Sequence, residues 1–325
     1  MNNPLVSISC ITYNHAPYIR QCLDGFLMQE CDFEYEILIH DDASTDGTSE
    51  IIREYQEKYP EIIKPIIQTE NQWSQGVRGM MARFNFPRAK GKYIALCEGD
   101  DYWTDPLKLQ KQVNLLEANY NSVICFHPMS ELFIQGNQEL QKKSIFHKNI
   151  TYRHHLLNIN YISTLTVVFR RERYNENNLE KLMNLSMGDY QLYLSLLMNS
   201  EDEIIYVDET MGVYRSGRPE SISNATPMKY FHKDFIKILK KISDIYNNIT
   251  IHEKRSIESA LAREYMNLYK IEMKKRKILN AFYLSLISLY HIFKLFFLKE
   301  RQNYHYSVLD FKMNFKRGIK LFIKN

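Results

Sequence analysis

Apolar and polar residues alternate along the first 130 residues in a pattern that predicts strands followed by helices. Five short apolar runs have the length and the β-branched content of buried strands, and the segments between them show helical spacing. The predicted strands cover 5–11, 35–40, 62–67, 92–97 and 123–127, and the predicted helices cover 18–29, 48–59, 77–90 and 106–119, the last with Pro106 at its first position. This order indicates an α/β fold with a mostly parallel central sheet flanked by helices.

Polar residues follow three of the predicted strands, at the edge where open parallel sheets bind their ligands. They are Thr12, Tyr13 and Asn14 after the first strand, Asp41 and Asp42 after the second, and Glu98, Asp100 and Asp101 after the fourth. One such loop would be an ordinary turn. Three at the same edge of one sheet indicate a binding site.

The acidic residues after the fourth strand favour a cation site. Three carboxylates within four residues repel one another unless a cation or several donors lie between them, and hard divalent cations prefer oxygen ligands. A solvated acidic turn, with Asp101 or Asp105 capping the next helix, is the structural alternative. The sequence contains neither GxGxxG after the first strand nor GxxxxGK(S/T), which disfavours dinucleotide-binding enzymes and P-loop NTPases.

Composition places the chain among globular proteins, with 45% hydrophobic and 25% charged residues. Its five cysteines include no CxxC and no Cys/His pair at metal-ligand spacing, which predicts reduced cytosolic thiols. The first residues lack the basic and apolar regions of a signal peptide, so we expect a cytoplasmic protein.

The C-terminal part differs from the rest in charge. Residues 270–325 contain 13 Lys and Arg against three acids, a net charge of +10. Because the whole chain carries +4, residues 1–269 carry −6. The sequence therefore divides into a mildly acidic body and a basic end.

The basic end has the composition of a membrane-surface segment. An uncharged run of 16 residues, 278–293, is shorter than the roughly 20 that a spanning helix needs. Further on, Phe311, Phe315, Ile319 and Phe322 form one helical stripe among Lys and Arg residues. We predict that residues 274–325 contact an anionic membrane surface. Packing on the catalytic domain or a homodimer surface is the alternative, and no nucleic-acid-binding module is recognisable.

The motifs in combination resemble one enzyme family. A strand precedes Thr-Tyr-Asn, a second precedes Asp-Asp-Ala-Ser-Thr-Asp-Gly-Thr, and then follows Gly-Lys-Tyr-Ile-Ala-x-x-Glu-Gly-Asp-Asp-Tyr-Trp. Over about residues 6–223 the chain resembles the family 2 glycosyltransferases of bacterial surface-polysaccharide synthesis, which have the GT-A fold. The resemblance implies a catalytic domain, 1–225, that moves a sugar from a nucleoside diphosphate donor, expected to be a UDP-sugar, to a saccharide or lipid-linked acceptor. It also implies inversion at the anomeric carbon. The remaining residues, 226–325, are expected to form a helical, basic extension, and the enzyme is expected to work in the cytoplasm at the inner face of the plasma membrane.

The resemblance further implies roles for the first two polar loops. Thr12, Tyr13 and Asn14 belong to the loop that packs on the nucleotide base. Asp42, with Asp41 beside it, corresponds to the acid that hydrogen-bonds the edge of the base.

The third polar loop corresponds to the part of the family site that carries the diphosphate. Glu98 occupies the position usually assigned to the ribose. Asp100 and Asp101 match the residues that hold Mg²⁺ or Mn²⁺, and which of the two is the direct ligand stays open. Arg78 and Arg83 lie in a segment that often supplies a basic residue to the nucleotide, with an ordinary surface charge on a helix as the alternative.

The base that activates the acceptor hydroxyl has to come from elsewhere, because the other acids already have roles. Asp189 begins an apolar segment, and the family places its base at the start of the corresponding helix. A helix cap is the alternative role for this residue. The β-branched run 163–170 resembles the strand that lines the acceptor side.

One position departs from the family pattern. Related sequences often carry Tyr-Arg-x-His after the last strand, whereas Gly217 holds the histidine position here. Arg215 and Arg218 are the positive charges that remain nearby.

Two other functions are compatible with part of the pattern. A sugar nucleotidyltransferase would carry a glycine-rich, arginine-containing loop after the first strand, which residues 9–14 do not have. A non-catalytic sugar-nucleotide-binding or scaffold protein would not need the complete acid set together with Asp189.

Overall fold

The computed structural model describes residues 3–135, 138–142, 153–182, 187–197, 202–217, 227–246 and 248–298. These residues form two compact units. The first takes in the described residues within Met1–Tyr152, Tyr161–Asn184 and Gly188–Ala225, and the second takes in those within Arg153–Asn160, Leu185–Met187 and Thr226–Asn325. Every predicted donor, metal and catalytic residue belongs to the first unit.

The strands of the described chain all lie in the first unit. They are Val6–Thr12 (β1), Tyr35–Asp41 (β2), Ile63–Ile67 (β3), Tyr93–Glu98 (β4), Tyr102–Trp103 (β5), Ser122–Phe126 (β6), Ser130–Gln135 (β7), Gln138–Lys142 (β8), Val168–Arg170 (β9), Glu203–Tyr206 (β10) and Gly212–Ser216 (β11). Seven of them form the main sheet in the order β10-β6-β9-β4-β1-β2-β3. All neighbouring pairs are parallel except those of β9 with β4 and β6, so the predicted mostly parallel sheet is confirmed.

Helices cover the main sheet and fill the second unit. They are Ile19–Leu27 (α1), Thr48–Lys58 (α2), Lys108–Ala118 (α3), Arg153–Asn158 (α4), Glu176–Leu182 (α5), Gly188–Leu196 (α6), Met228–Ile245 (α7), Ile251–Lys274 (α8) and Ile278–Phe297 (α9). Apolar residues of α1 and α3 are buried with those of β1 and β4 in one core. The helical spacing in the sequence therefore corresponds to faces that the sheet covers.

The register of the central strands positions the site. Across the parallel pair β1–β2, Thr12 lies opposite Asp41, and across β1–β4, Ile11 lies opposite Glu98. The ends of three neighbouring strands therefore reach the same edge of the sheet. This is the arrangement that the sequence predicted from the carboxyl-end rule.

Three predicted elements differ from the structure, and local hydrogen bonds explain each difference. The segment 77–90 is helical only over a π-helical turn, Met81–Asn85, and a 3₁₀ turn, Phe86–Arg88, because Pro87 cannot donate to a regular helix. The run 163–170 forms a strand only at Val168–Arg170, since the Thr166 amide and hydroxyl both bond to the Ser163 carbonyl in a turn.

The fourth predicted helix begins two residues later than expected. Pro106 is not its first residue, because α3 starts at Lys108. The Asp105 carboxylate accepts a hydrogen bond from the Leu107 amide at 2.8 Å, and the Asp105 carbonyl accepts one from the Lys108 amide at 3.2 Å. Pro106 therefore lies in the turn before the helix.

The loop at residues 98–101, which contains Glu98, Asp100 and Asp101, is the acidic loop. A second sheet, which the sequence did not predict, lies beside it. Its strand order is β5-β11-β7-β8, with β11 antiparallel to β5 and parallel to β7. Strand β5 follows Asp101 directly, so its partner β11 brings Arg215 to the acidic loop.

The second unit is a helical assembly of α4, α7, α8 and α9. A capping box begins α8: Thr250 Oγ1 accepts from the Glu253 amide at 3.2 Å, and Glu253 Oε2 accepts from the Thr250 amide at 2.8 Å. Helix α9 packs along α8 through one of its faces. The predicted stripe at 311–322 and Arg218 lie outside the described residues.

Candidate functional site

The first two polar loops are joined by hydrogen bonds between side chains and backbone. The Asn14 amide donates to Ser44 Oγ at 2.9 Å, and Asn14 Oδ1 accepts from the Thr45 amide at 2.8 Å. Asp46 Oδ2 accepts from the Ala16 amide at 2.9 Å. Both Asn14 and Ala43 have left-handed backbones, with φ of 53° and 61°. Strained backbone of this kind is typical of binding loops that their surroundings hold in place.

Asp41 and Asp42 are buried acids whose oxygens already have partners. Asp41 accepts from the hydroxyls of Ser44 and Ser49. Asp42 accepts from the amide of Gln72 at 2.8 Å and from that of Trp73 at 3.0 Å, one to each oxygen. A carboxylate oxygen keeps a second lone pair, so Asp42 can still accept a bond from a ligand. The two acids thus organise the loops around them.

The third loop brings its acids together. Glu98, Asp100 and Asp101 each offer a carboxylate oxygen, and these atoms lie within 4.8 Å of one another. Asp100 and Asp101 are buried, and Glu98 is half-buried. Burial and the charge of Glu98 raise the pKa of Asp101 well above its ordinary value, against the opposing effect of the Arg215 amide.

These acids fit a hard divalent cation. All three are oxygen ligands, the class that Mg²⁺ and Mn²⁺ prefer, and a cation would relieve the repulsion that raises the pKa of Asp101. The resemblance assigned Glu98 to the ribose. The structure places its carboxylate within the same group as the two aspartates.

Arg215 is a component of the site whose contacts the sequence did not reveal. Its amide donates to Asp101 Oδ1 at 2.9 Å, and its buried guanidinium donates to the Asp100 carbonyl and to Gln21. The guanidinium carbon lies 4.5 Å from the centre of the Tyr102 ring. A positive charge therefore lies directly against the acidic loop. The sequence pointed to Arg215 only through the Tyr-Arg pair, and that pair does not indicate which residues the Arg215 side chain contacts.

A histidine also lies at the acidic loop. His15 Nδ1 is 3.9 Å from Asp100 Oδ1, and the His15 amide donates to Thr48 Oγ1 at 2.9 Å. Sequence analysis missed this residue, although it follows Asn14 directly. Thr12, at the end of β1, is buried, whereas Tyr13 is exposed.

The loop after β3 holds two more side chains near the Asp42 contacts. Arg78 stacks on Trp73, with its guanidinium carbon 3.8 Å from the ring centre, and donates to the Trp73 carbonyl at 2.9 Å. The predicted donor residue Arg83 is exposed, and its Nε donates to the Arg78 carbonyl at 2.9 Å. Arg78, rather than Arg83, therefore contacts Trp73, and the Trp73 amide donates a hydrogen bond to Asp42.

Asp189 lies in the first turn of α6, one residue after the helix begins at Gly188. Burial and the charge of Asp189 raise the pKa of Tyr193, a fully buried residue one turn further along, and Glu98 acts on it in the same direction. Tyr193 therefore lies within electrostatic reach of both Asp189 and the acidic loop.

Comparison with known proteins gives a family match. The model of glycosyl transferase family 2 matches residues 7–183, more than half of the chain. An uncharacterized protein of Mycobacterium tuberculosis is 39% identical over 212 residues, which cover 65% of this chain and 58% of that protein. The chain thus spans less than two thirds of that relative's length. TuaG of Bacillus subtilis, named provisionally as a teichuronic acid biosynthesis glycosyltransferase, is 31% identical over 194 residues, covering 60% of this chain and 72% of TuaG.

Solved structures show a similar fold. TarS of S. aureus in complex with UDP-GlcNAc superposes with a TM-score of 0.61 at 19% identity, covering 80% of this chain and 72% of that one. The mannosyltransferase PcManGT of Pyrobaculum calidifontis, in complex with GDP-Man and Mn²⁺, has a TM-score of 0.51 at 17% identity, covering 92% and 89%. At these identities the likeness concerns the fold alone.

Proposed function

Because the chain belongs to glycosyl transferase family 2 and has the GT-A fold, we propose that it transfers a sugar from a nucleoside diphosphate donor to an acceptor hydroxyl. One observation supports this function above all: Glu98, Asp100 and Asp101 gather at the carboxyl end of β4, at the same edge of the sheet as Asp41 and Asp42. TarS is solved with UDP-GlcNAc, which favours a UDP-sugar as donor.

The acidic loop would hold the donor diphosphate through a divalent cation. Asp100 and Asp101, with Glu98 beside them, would bind Mg²⁺ or Mn²⁺, and PcManGT is solved with Mn²⁺. When bound, such a cation neutralises charge on the diphosphate and so makes it a better leaving group. Arg215 adds a fixed positive charge at the same loop.

The nucleoside would lie against the loops after β1 and β2. Thr12, Tyr13 and Asn14 form one wall, and Asp42, held beside Asp41, would accept a hydrogen bond from the base. Arg83 is the predicted basic residue of this part of the site. Hydrogen bonds between the two loops fix their separation, so a flat base can bind without first ordering the chain.

Asp189 would activate the acceptor. Its carboxylate takes the proton of the acceptor hydroxyl, whose oxygen then forms a bond to the anomeric carbon while the bond from that carbon to the phosphate oxygen breaks. The nucleoside diphosphate leaves with the electron pair of that bond. Attack from the side opposite the leaving group inverts the anomeric configuration. Positioned carboxylate bases of this kind contribute roughly 10²- to 10⁴-fold to the rate.

The acceptor we propose is a saccharide of a cell-surface polysaccharide, free or lipid-linked. TuaG, with its provisional assignment to teichuronic acid biosynthesis, supports this class. We place residues 1–225 as the catalytic domain and 226–325 as a helical extension. The reaction would occur in the cytoplasm at the inner face of the plasma membrane.

A donor screen tests the reaction. The purified protein is incubated with UDP-, GDP- and dTDP-sugars and an acceptor mixture, with Mn²⁺ or with EDTA, and the released products are identified. We expect release of a nucleoside diphosphate that depends on the cation. Release of pyrophosphate from a nucleoside triphosphate and a sugar phosphate would indicate a nucleotidyltransferase, and donor binding without any release would indicate a scaffold.

The role of Asp189 is tested by Asp189→Asn. This change removes the base but adds no bulk, so donor binding should persist while transfer falls roughly 10²- to 10⁴-fold. Calorimetry with UDP and Mn²⁺ measures the first quantity, and product release measures the second. Wild-type turnover by the variant would contradict the assignment.

A further inference from the structure

One face of α9 exposes six large apolar or aromatic side chains. Their exposed fractions run from 48% to 86%. At 3.6 residues per turn they fall within a sector of about 100° around the helix axis. Scattered exposed apolar residues are ordinary, but a contiguous set on one face marks an interaction surface. We call this the α9 outer face; it consists of Leu279, Phe282, Tyr283, Leu286, Tyr290 and Phe293.

The opposite face of α9 is fixed to α8. Ala281, Ser285 and Ile292 are buried on this side. Ser288 Oγ donates to the Ala262 carbonyl at 2.8 Å, and at the edge of the outer face Lys294 Nζ donates to Glu258 Oε1 at 3.0 Å. Because both polar and apolar contacts hold this side, α9 presents its outer face as part of the folded second unit.

The residues that lead into α9 carry only positive charge. Lys274, Lys275, Arg276 and Lys277 are all exposed. From 273 to 299 the sequence contains no Asp or Glu. The outer face is therefore bordered by cations and carries no anion of its own, which makes it complementary to a negatively charged, apolar partner.

We infer that the α9 outer face docks on an anionic lipid bilayer, with α9 lying parallel to the membrane plane. Phe and Leu would enter the boundary between headgroups and acyl chains, Tyr would stay at headgroup level, and the residues 274–277 would meet anionic headgroups. From Leu279 to Phe293 the outer face is about 21 Å long. The inference rests on the proposed function in one respect, because a lipid-linked acceptor gives the docking its purpose.

The contacts of α9 disfavour a membrane-spanning helix. Within the described residues, α9 is the helix that is long and apolar enough to cross a membrane by length and composition. It is nevertheless bonded to α8, whose charged residues include Glu258, Arg263 and Glu264. Taking these groups into hydrocarbon would cost several kcal/mol each. A second copy of the chain is also a poorer partner, because it would bring an equally basic surface.

Flotation of the full chain with lipid vesicles tests the inference. We expect binding to vesicles of phosphatidylcholine and phosphatidylglycerol and weak binding to phosphatidylcholine alone. Leu286→Glu and Phe293→Glu should each weaken binding roughly tenfold or more, since each removes one inserted side chain. Tyr120→Glu, at a 79% exposed site of the first unit, is the matched control and should bind as the wild type does.

A second variant leaves the apolar face intact. Lys274→Gln, Lys275→Gln and Lys277→Gln together should weaken binding to anionic vesicles and remove most of its salt dependence. Thermal melts confirm that each variant is folded. No donor is present in flotation, so this result is independent of whether the glycosyl transfer proposal stands.

Three results would overturn the inference. The first is equal vesicle binding by the wild type and the Phe293→Glu variant. The second is a dimer in lipid-free solution that the same variant dissociates, which would identify a second copy as the partner. The third is retention of the protein in membranes after alkaline carbonate extraction, which would indicate a spanning helix.

Discussion

Two groups of acids lie at the same edge of one sheet: Asp41 and Asp42 at the end of β2, and Glu98, Asp100 and Asp101 at the end of β4. They differ in how their negative charge is compensated. Asp41 and Asp42 accept hydrogen bonds from hydroxyls and amides of their own chain. In the second group, Asp101 accepts one amide bond, from Arg215, and lies close to two other carboxylates. Its pKa is raised well above the ordinary value by burial and by Glu98.

This difference separates two uses of buried acid in one site. The first pair is satisfied within the fold and so determines the positions of the loops. In the cation-free protein, burying the mutually repelling carboxylates of the second group costs free energy of folding. A divalent cation would remove that cost.

The largest effect is expected from Asp101→Asn. Loss of this carboxylate should weaken cation-dependent UDP binding by at least roughly 100-fold. The cation-free protein should become more stable, because a buried charge that repels Glu98 is gone while Asn can still accept from the Arg215 amide. Calorimetry with Mn²⁺ and thermal melts in EDTA measure the two effects.

The exposed Asp32 provides a matched control for this test, since Asp32→Asn also removes one negative charge. The Asp32→Asn variant should change neither the UDP affinity nor the stability of the cation-free protein. Unchanged UDP affinity in the Asp101→Asn variant would contradict the cation site.

A smaller effect of a different kind is expected from Asp42→Asn. An Asn side chain can accept from only one of the Gln72 and Trp73 amides, and its NH₂ group would face the other donor. We expect a loss of about 1–3 kcal/mol in the free energy of unfolding. Urea titration followed by tryptophan fluorescence measures it, because Trp73 lies in the affected loop. Equal stability would mean that these amide bonds do not hold the loop.

The smallest effect concerns a buried lysine. Lys108 is fully buried, and burial lowers its pKa to about 7. Between pH 7 and the unfolded value near 10.4 the unfolded chain binds more protons, so stability rises with pH. Several buried thiols, with raised pKa values, act oppositely above about pH 8. Between pH 7 and 8, Lys108 therefore contributes to the slope before the thiols oppose it.

In that window we expect a slope of up to about 1.4 kcal/mol per pH unit, and Lys108→Met should flatten it. Urea titrations at several pH values measure the slope, which does not depend on the absolute stability of the variant. An equal slope in the variant would show that another group titrates. A flattened slope would sharpen the comparison: the cost of burying the lysine is relieved by the loss of a proton, whereas a bound cation is the proposed relief for the acids.

The sequence was most informative where chemistry and chain order coincide. Thr12, Asp41 and Glu98 end adjacent strands, and the parallel pairing of those strands was predictable from apolar runs separated by helices. The place of the acidic loop at the sheet edge and the mostly parallel sheet were therefore predictable from the sequence. The family and the fold that the motifs resembled are confirmed.

Contacts between distant residues were not predictable. Arg215 reaches a carbonyl 115 positions earlier, and a sequence carries no sign of such a contact. The Trp73 amide, which bonds Asp42, is a backbone group with no residue preference at all. Strand β9 has only three residues, too few to show a period, yet it lies between β4 and β6 and makes the sheet mixed.

The roles of Asp189, Arg83 and the nucleoside loop remain predictions. For Asp189, the base role and the helix-cap role differ in their effect on turnover, which Asp189→Asn measures.

Gly99 has a consequence for anyone who tries to redesign the donor preference. A Cβ at this position would come within 2.8 Å of Thr12 Oγ1 and 3.0 Å of Ile19 Cδ1. The backbone at Gly99 therefore packs against the Thr12 side chain with no room for a methyl group. Libraries that vary position 12 alone, toward larger side chains, would push the acidic loop out of place. Directed evolution of this pocket should vary position 12 within the small residues and leave position 99 as glycine.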